Sequence, residues 1–175
     1  MHINFEFKAR CAQILQLENL LLKYKPEFIG QDRQTDTYFN VPNGRMKLRE
    51  GLIENALIHY ERANTSGAKQ SHILLYAHQP DAQLKEILTK ALGVKVVIDK
   101  LRKIYFIDNV KFHFDEVNGL GTFVEVEAID KKGNIGIEKL KDQCNSYAQL
   151  FNVRKDDYIA ESYSDLLLAK KSSIK

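Results

Sequence analysis

Short segments in which apolar and charged residues alternate recur along the chain. Near the start, Ile3, Phe5 and Phe7 alternate with Asn4, Glu6 and Lys8. The same spacing gives the pairs Lys47/Arg49, Lys100/Arg102, His113/Asp115 and Glu125/Glu127. Successive side chains on a strand point to opposite faces, so each pair shares one face and the intervening apolar residues take the other. Alternation of this kind predicts strands over 3–7, 34–39, 45–50, 56–63, 71–78, 94–107, 110–116 and 122–129. A 3.6-residue period predicts helices over 12–24, where Ile14, Leu17 and Leu21 stack and Pro26 stops the run, and over 81–92, 137–151 and 162–170. Asp81 is placed to cap the second helix, and Gly93 to end it.

Two readings of the charged faces compete. They are the solvated side of an ordinary sheet, or they line an interior. Basic and acidic pairs fall on different strands, and Glu125/Glu127 have no basic residue between them. Like charges at adjacent positions of one face repel and call for a counter-ion: a metal for the carboxylates, a polyanion for the cations. Bare buried charges would each cost several kcal/mol, so an interior reading requires a wet, polar lumen. About eight strands, mostly hairpin-connected, with few helices, give an α+β chain: an antiparallel barrel with helices outside.

Composition narrows the partners. The 175 residues are 44% hydrophobic and 28% charged, enough for one well-buried domain. A net charge of +3 without any Lys/Arg block is far from a nucleic-acid binder and fits a small anion better. Cys11 and Cys144 stand far apart within helical patterns, as reduced packed thiols do. No signal-peptide pattern and no apolar run near the roughly 20 residues of a membrane span are present, so a cytoplasmic protein is expected, without a membrane partner. The barrel and its outer helices offer surfaces through which a homodimer can form.

There is no phosphate-binding GxxxxGK[ST] loop, no HExxH and no zinc-spaced Cys/His cluster. Gly119-Leu-Gly121 lacks the third glycine and following helix of a dinucleotide site and reads as a hairpin turn. Taken in order, Glu6-Phe-Lys8, Gly44-Arg-Met-Lys-Leu-Arg-Glu50, His59-Tyr-Glu-Arg-Ala63, Lys100-Leu-Arg102 and His113-Phe-Asp-Glu-Val-Asn-Gly-Leu-Gly-Thr-Phe-Val-Glu-Val-Glu127 resemble the CYTH, or triphosphate tunnel metalloenzyme, superfamily. Within it the chain is most similar to the class IV adenylate cyclase-like branch.

The resemblance implies an eight-stranded antiparallel tunnel that holds a nucleoside or inorganic triphosphate and Mg²⁺ or Mn²⁺. By match to the motifs it implies Glu6, Glu125 and Glu127 as metal ligands. Lys8, Lys47, Arg49, Lys100 and Arg102 would grip phosphates, with Lys8, Lys100, Arg102 and Asp115 closest to the chemistry. Arg62, Lys69 and His113 complete the expected substrate contacts. The activity implied first is conversion of ATP to cyclic AMP and pyrophosphate; hydrolysis of thiamine triphosphate or tripolyphosphate, and triphosphate binding without turnover, are the alternatives. One position departs from the pattern: the family's Glu-x-Glu-x-Lys reads Asn4-Phe-Glu-Phe-Lys8 here, which replaces a charged ligand by a neutral carbonyl.

Overall fold

The computed structural model describes residues 2–61, 67 and 69–173. Eight strands, β1 (His2–Arg10), β2 (Glu27–Phe39), β3 (Arg45–Glu50), β4 (Ala56–Glu61), β5 (Lys69–Ala77), β6 (Val94–Ile107), β7 (Val110–Val117) and β8 (Gly121–Asp130), alternate with helices α1 (Ile14–Leu22), α2 (Ala82–Leu92), α3 (Ile137–Leu150) and α4 (Tyr163–Ser172). The strands close in the order β1-β5-β4-β3-β2-β6-β7-β8, and every pairing is antiparallel. The barrel predicted from alternation is therefore present.

Register decides which face each charge takes, because residues directly opposite one another share a face. Lys8 faces Glu125, Glu6 faces Glu127, and His113 faces Glu125 across their ladders. Arg102 lies opposite Asp115, and Asp36 opposite Arg49. These residues are inside. Their outward neighbours Phe5, Phe7, Phe112, Phe114, Val124 and Val126 form the main apolar core with Leu140, Cys144 and Ala148 of α3, Phe151 just after it, and Leu21 of α1. The helical stripe seen in the sequence is thus what covers the outside of the barrel. Cys11 and Cys144 are both free thiols.

Elements at the two ends shape access. At one end the turn before β3 depends on Gly44, whose φ of 65° favours glycine. There α4 flanks the barrel as expected of the helices, its Leu166, Leu167 and Leu168 packing against the cluster of Tyr38, Val96, Val117 and Phe123. Its first residue, Tyr163, is buried against Phe123 with ring centroids 4.9 Å apart, and Arg45 reaches Asp165 at 2.8 Å. Ser162 and Tyr163 line the cavity from this end. At the opposite end, where β4 starts and β5, β6 and β8 finish, the cavity lining reaches solvent through the exposed Ile53, Leu75 and Lys131. β2 also differs from expectation: it begins at Glu27, seven residues before the predicted start, and absorbs Gly30 in an irregularity of its pairing with β6. No helix among the described residues is long and apolar enough to cross a membrane.

Candidate functional site

The barrel encloses a cavity of about 480 Å³ lined by Glu6, Lys8, Lys47, Arg49, Lys100, Arg102, His113, Glu125 and Glu127, together with Glu54 and Lys111. That volume falls in the range of small-ligand sites. Asp115 is placed differently from the other expected residues. It lies behind Arg102, completely buried, with its two oxygens 2.6 and 2.5 Å from the guanidinium and its Oδ2 accepting from the Tyr163 hydroxyl at 2.8 Å. Its reach is to Arg102, not to the lumen. Arg62 lies outside the described residues, and of Lys69 only the backbone is described, opposite Glu6 on β1.

The cations form one group around a carboxylate that sequence reading did not single out. Asp36 accepts from Lys100 at 2.6 Å, from Lys47 at 2.9 Å, and from Arg49 through Nε at 2.8 Å and Nη2 at 3.0 Å. Burial opposes its charge, yet Arg49, Lys100 and Lys47 hold it well below the usual carboxylate range. Asp36 was legible in principle: it shares a strand face with Gln34 and Tyr38, by the same two-residue rule. For Lys100 the balance goes the other way. Burial, reinforced by Arg49, Arg102 and Lys47, outweighs Asp36 and brings the ammonium down to about 7.

The carboxylates gather on β8 and β1. Glu125 binds Lys8 at 3.2 Å and Arg102 at 2.7 Å, and despite burial these cations keep it ionised well below its ordinary range. Glu127 behaves differently. Burial, helped by Glu6 and Glu125, pushes it up to about 7 against the pull of Lys111. His113, brought down to about 3 by burial and by Arg102 and Lys111, is neutral at physiological pH. Ligand atoms of His113, Glu125 and Glu127 lie within 4.8 Å of one another. A neutral imidazole beside crowded carboxylates is a donor set that fits a divalent ion, which would neutralise the surplus negative charge.

Two further contacts were not readable from motifs. Lys8 sits 4.0 Å above the Tyr163 ring and donates to the Glu161 carbonyl at 3.2 Å, so the C-terminal segment helps fix its ammonium. Glu54, in the loop between β3 and β4, enters the lumen and meets Arg49 at 3.0 Å, and also Lys111. Loops carry no periodicity, so nothing in the pattern marked it.

Comparison with known proteins finds relatives that span nearly the whole chain. The CYTH domain family model matches residues 2–163. Over 176 aligned positions the chain is 24% identical to an adenylate cyclase candidate of Methanocaldococcus jannaschii, spanning 94% of this chain and 98% of that protein. A conserved hypothetical protein from Pyrococcus furiosus has a similar structure, with a TM-score of 0.79 at 21% identity over 93% of this chain and 99% of that one. An adenylyl cyclase candidate from Hippeastrum, described as having a dominant triphosphatase activity, gives a TM-score of 0.61 at 14% identity, covering 98% of this chain and 96% of that one.

Proposed function

The chain belongs to the CYTH domain family, and from that premise we propose that its tunnel binds a triphosphate and performs metal-assisted phosphoryl transfer on it. The observation that carries this reading is the division of the lumen. A cation group (Lys47, Arg49, Lys100, Arg102) adjoins a carboxylate group (Glu125, Glu127), with Glu6 opposite Glu127 in the register, inside one cavity. Cations converging in a partly dehydrated lumen attract phosphate far more strongly than the same groups on an open surface: a unit charge pair at 4 Å is worth roughly 4 kcal/mol at an effective dielectric of 20, against about 1 in water.

Glu6, Glu125 and Glu127 would hold Mg²⁺ or Mn²⁺. A dication held there would supply positive charge to offset the negative charge on the phosphates during transfer. The chain's own residues do the positioning. Arg49 and Arg102, each held along one guanidinium edge by Asp36 and Asp115, bring fixed positive charge to the phosphates, while Lys8, Lys47 and Lys100 supply point charges. Asp115 orients Arg102 from behind, and Tyr163 in turn donates to Asp115. In the first reading, the 3′-hydroxyl of bound ATP attacks the α-phosphorus and gives up its proton to solvent, the bond to the bridging oxygen breaks, pyrophosphate leaves, and cyclic AMP remains.

Hydrolysis is the second reading, favoured by one feature. Asn4 Oδ1 and Ser71 Oγ, on paired positions of β1 and β5, line the cavity and are buried, yet neither atom has a hydrogen-bond partner. Buried polar atoms are normally satisfied, and acceptors of this kind suit an attacking water. The test is to incubate the protein with Mn²⁺ and ATP, thiamine triphosphate or tripolyphosphate, and to identify products by phosphorus NMR. Cyclic AMP with pyrophosphate supports cyclisation, orthophosphate supports hydrolysis, and unchanged substrates remove both readings.

A further inference from the structure

Glu54 is the one carboxylate among the described lumen residues that comes from a loop, and the loop is built to present it. The buried Asp32 accepts the backbone N–H groups of Leu52, Ile53 and Glu54 at 2.7, 3.0 and 3.0 Å. Gly51 is required for this wrap, because a Cβ there would lie 2.6 and 2.8 Å from the Asp32 oxygens. Gln34 then joins the anchor to the presented group, donating to Asp32 at 2.8 Å and to Glu54 at 3.0 Å. Held in this way, the Glu54 carboxylate binds Arg49 of β3 on one side and Lys111 of β7 on the other. These strands are not neighbours in the barrel. An anion belonging to the protein therefore spans the lumen on its open side, where a further phosphate would otherwise sit.

Beyond this carboxylate the lining changes character. Ile53, Leu75, Ala77, Phe106 and Ile129 surround the open end. The rim also holds Lys131, but that side chain is exposed and its pull is weakened by water and salt. A phosphate chain extending outward meets a fixed negative charge and then apolar surface. A neutral organic group meets a surface that it can cover.

We propose that Glu54 is a specificity-determining residue: it fills the outermost anion slot, so that the tunnel takes a triphosphate joined to an uncharged organic group and rejects longer inorganic polyphosphate. This rests on the triphosphate reading given above. A purely cationic tunnel would do the opposite, because Coulomb attraction favours the more highly charged ligand.

The experiment is calorimetric binding of ATP and of tetrapolyphosphate in EDTA, for the parent and for Glu54→Gln. The parent is expected to bind ATP more tightly, and Glu54→Gln to shift the ratio of the two affinities toward tetrapolyphosphate by about tenfold or more, equivalent to about 1.4 kcal/mol. Because the readout is a ratio, any fraction of unfolded variant cancels. Tight binding of both ligands with an unchanged ratio, or a parent that prefers tetrapolyphosphate, overturns the role of Glu54 and leaves the triphosphate site standing. A parent that binds neither ligand removes that site, and the proposal with it.

Discussion

The carboxylate of Asp36 lies 2.6 Å from the ammonium of Lys100, inside the barrel and across the β2–β6 boundary. It also holds Lys47 and Arg49. The cation group thus carries its own counter-ion when no ligand is present, which answers how several positive charges can share one interior. Removing one partner of a buried ion pair leaves the others uncompensated and typically costs about 3–5 kcal/mol. Asp36→Asn is therefore expected to lower the melting temperature clearly, and tripolyphosphate to restore much of the loss. Equal losses with and without tripolyphosphate would show that these cations do not face the ligand.

Lys100 gives the binding reaction a pH signature. Its pKa, brought down to about 7 by burial and by Arg49, Arg102 and Lys47 against Asp36, compares with about 10.4 for an unfolded lysine. Between those values the unfolded chain binds more protons, so this group's contribution to stability rises with pH from about 7 to about 10 and is smallest below 7. A bound triphosphate favours the ammonium. Near pH 8 binding should take up a proton, and affinity should fall as pH rises further. Calorimetry of tripolyphosphate binding in EDTA, in buffers of different ionisation enthalpy, measures the uptake, and Lys100→Met should abolish it.

The metal assignment separates from phosphate binding. Glu125→Gln and Glu127→Gln remove charge from the carboxylate group and leave Lys47, Arg49 and Lys100 in place, so both variants should lose most Mn²⁺ affinity and turnover while still binding tripolyphosphate in EDTA. Titration of Mn²⁺ by electron paramagnetic resonance checks this directly. Unchanged Mn²⁺ affinity in both variants would place the metal elsewhere.

Much of this lumen was legible because strands have an exact two-residue period. Lys47/Arg49, Lys100/Arg102 and Glu125/Glu127 announce a common face from sequence alone, and closure into a barrel followed from charged faces that needed a wet, polar lumen and from the run of about eight hairpin-connected strands. What stayed hidden depends on long-range docking. The 162–170 pattern predicts a helix but not that Tyr163 is buried in the cavity lining and touches Lys8 and Asp115. Asp115 shares the alternation of His113, yet only the register with Arg102 sends it behind that side chain. Glu54 is invisible to periodicity because its position depends on the wrap of the loop around Asp32, and the early start of β2 has no clean alternation to mark it, since Phe28 and Ile29 are adjacent and the pairing is irregular at Gly30.

Asn4 tests how far this chain departs from its family's opening motif. Asn4→Glu adds a carboxylate in line with Glu6 on the lumen side of β1, next to the unpartnered Ser71 hydroxyl. It should tighten binding of a second divalent ion and raise turnover where activation of the nucleophile limits the rate. A metal titration of turnover at saturating substrate checks this; a parent already fast at low metal, and a variant no faster, would show that the neutral side chain suffices.

The central claim is that the lumen cations receive a triphosphate. Calorimetric titration with tripolyphosphate in EDTA, comparing the parent with the double variant Lys47→Ala/Arg49→Ala, tests it most directly. Each lost charge-assisted contact is worth roughly 1.5–3 kcal/mol, so the account predicts one site in the parent and an affinity at least about 100-fold weaker in the double variant. Equal affinity in the two proteins would contradict it.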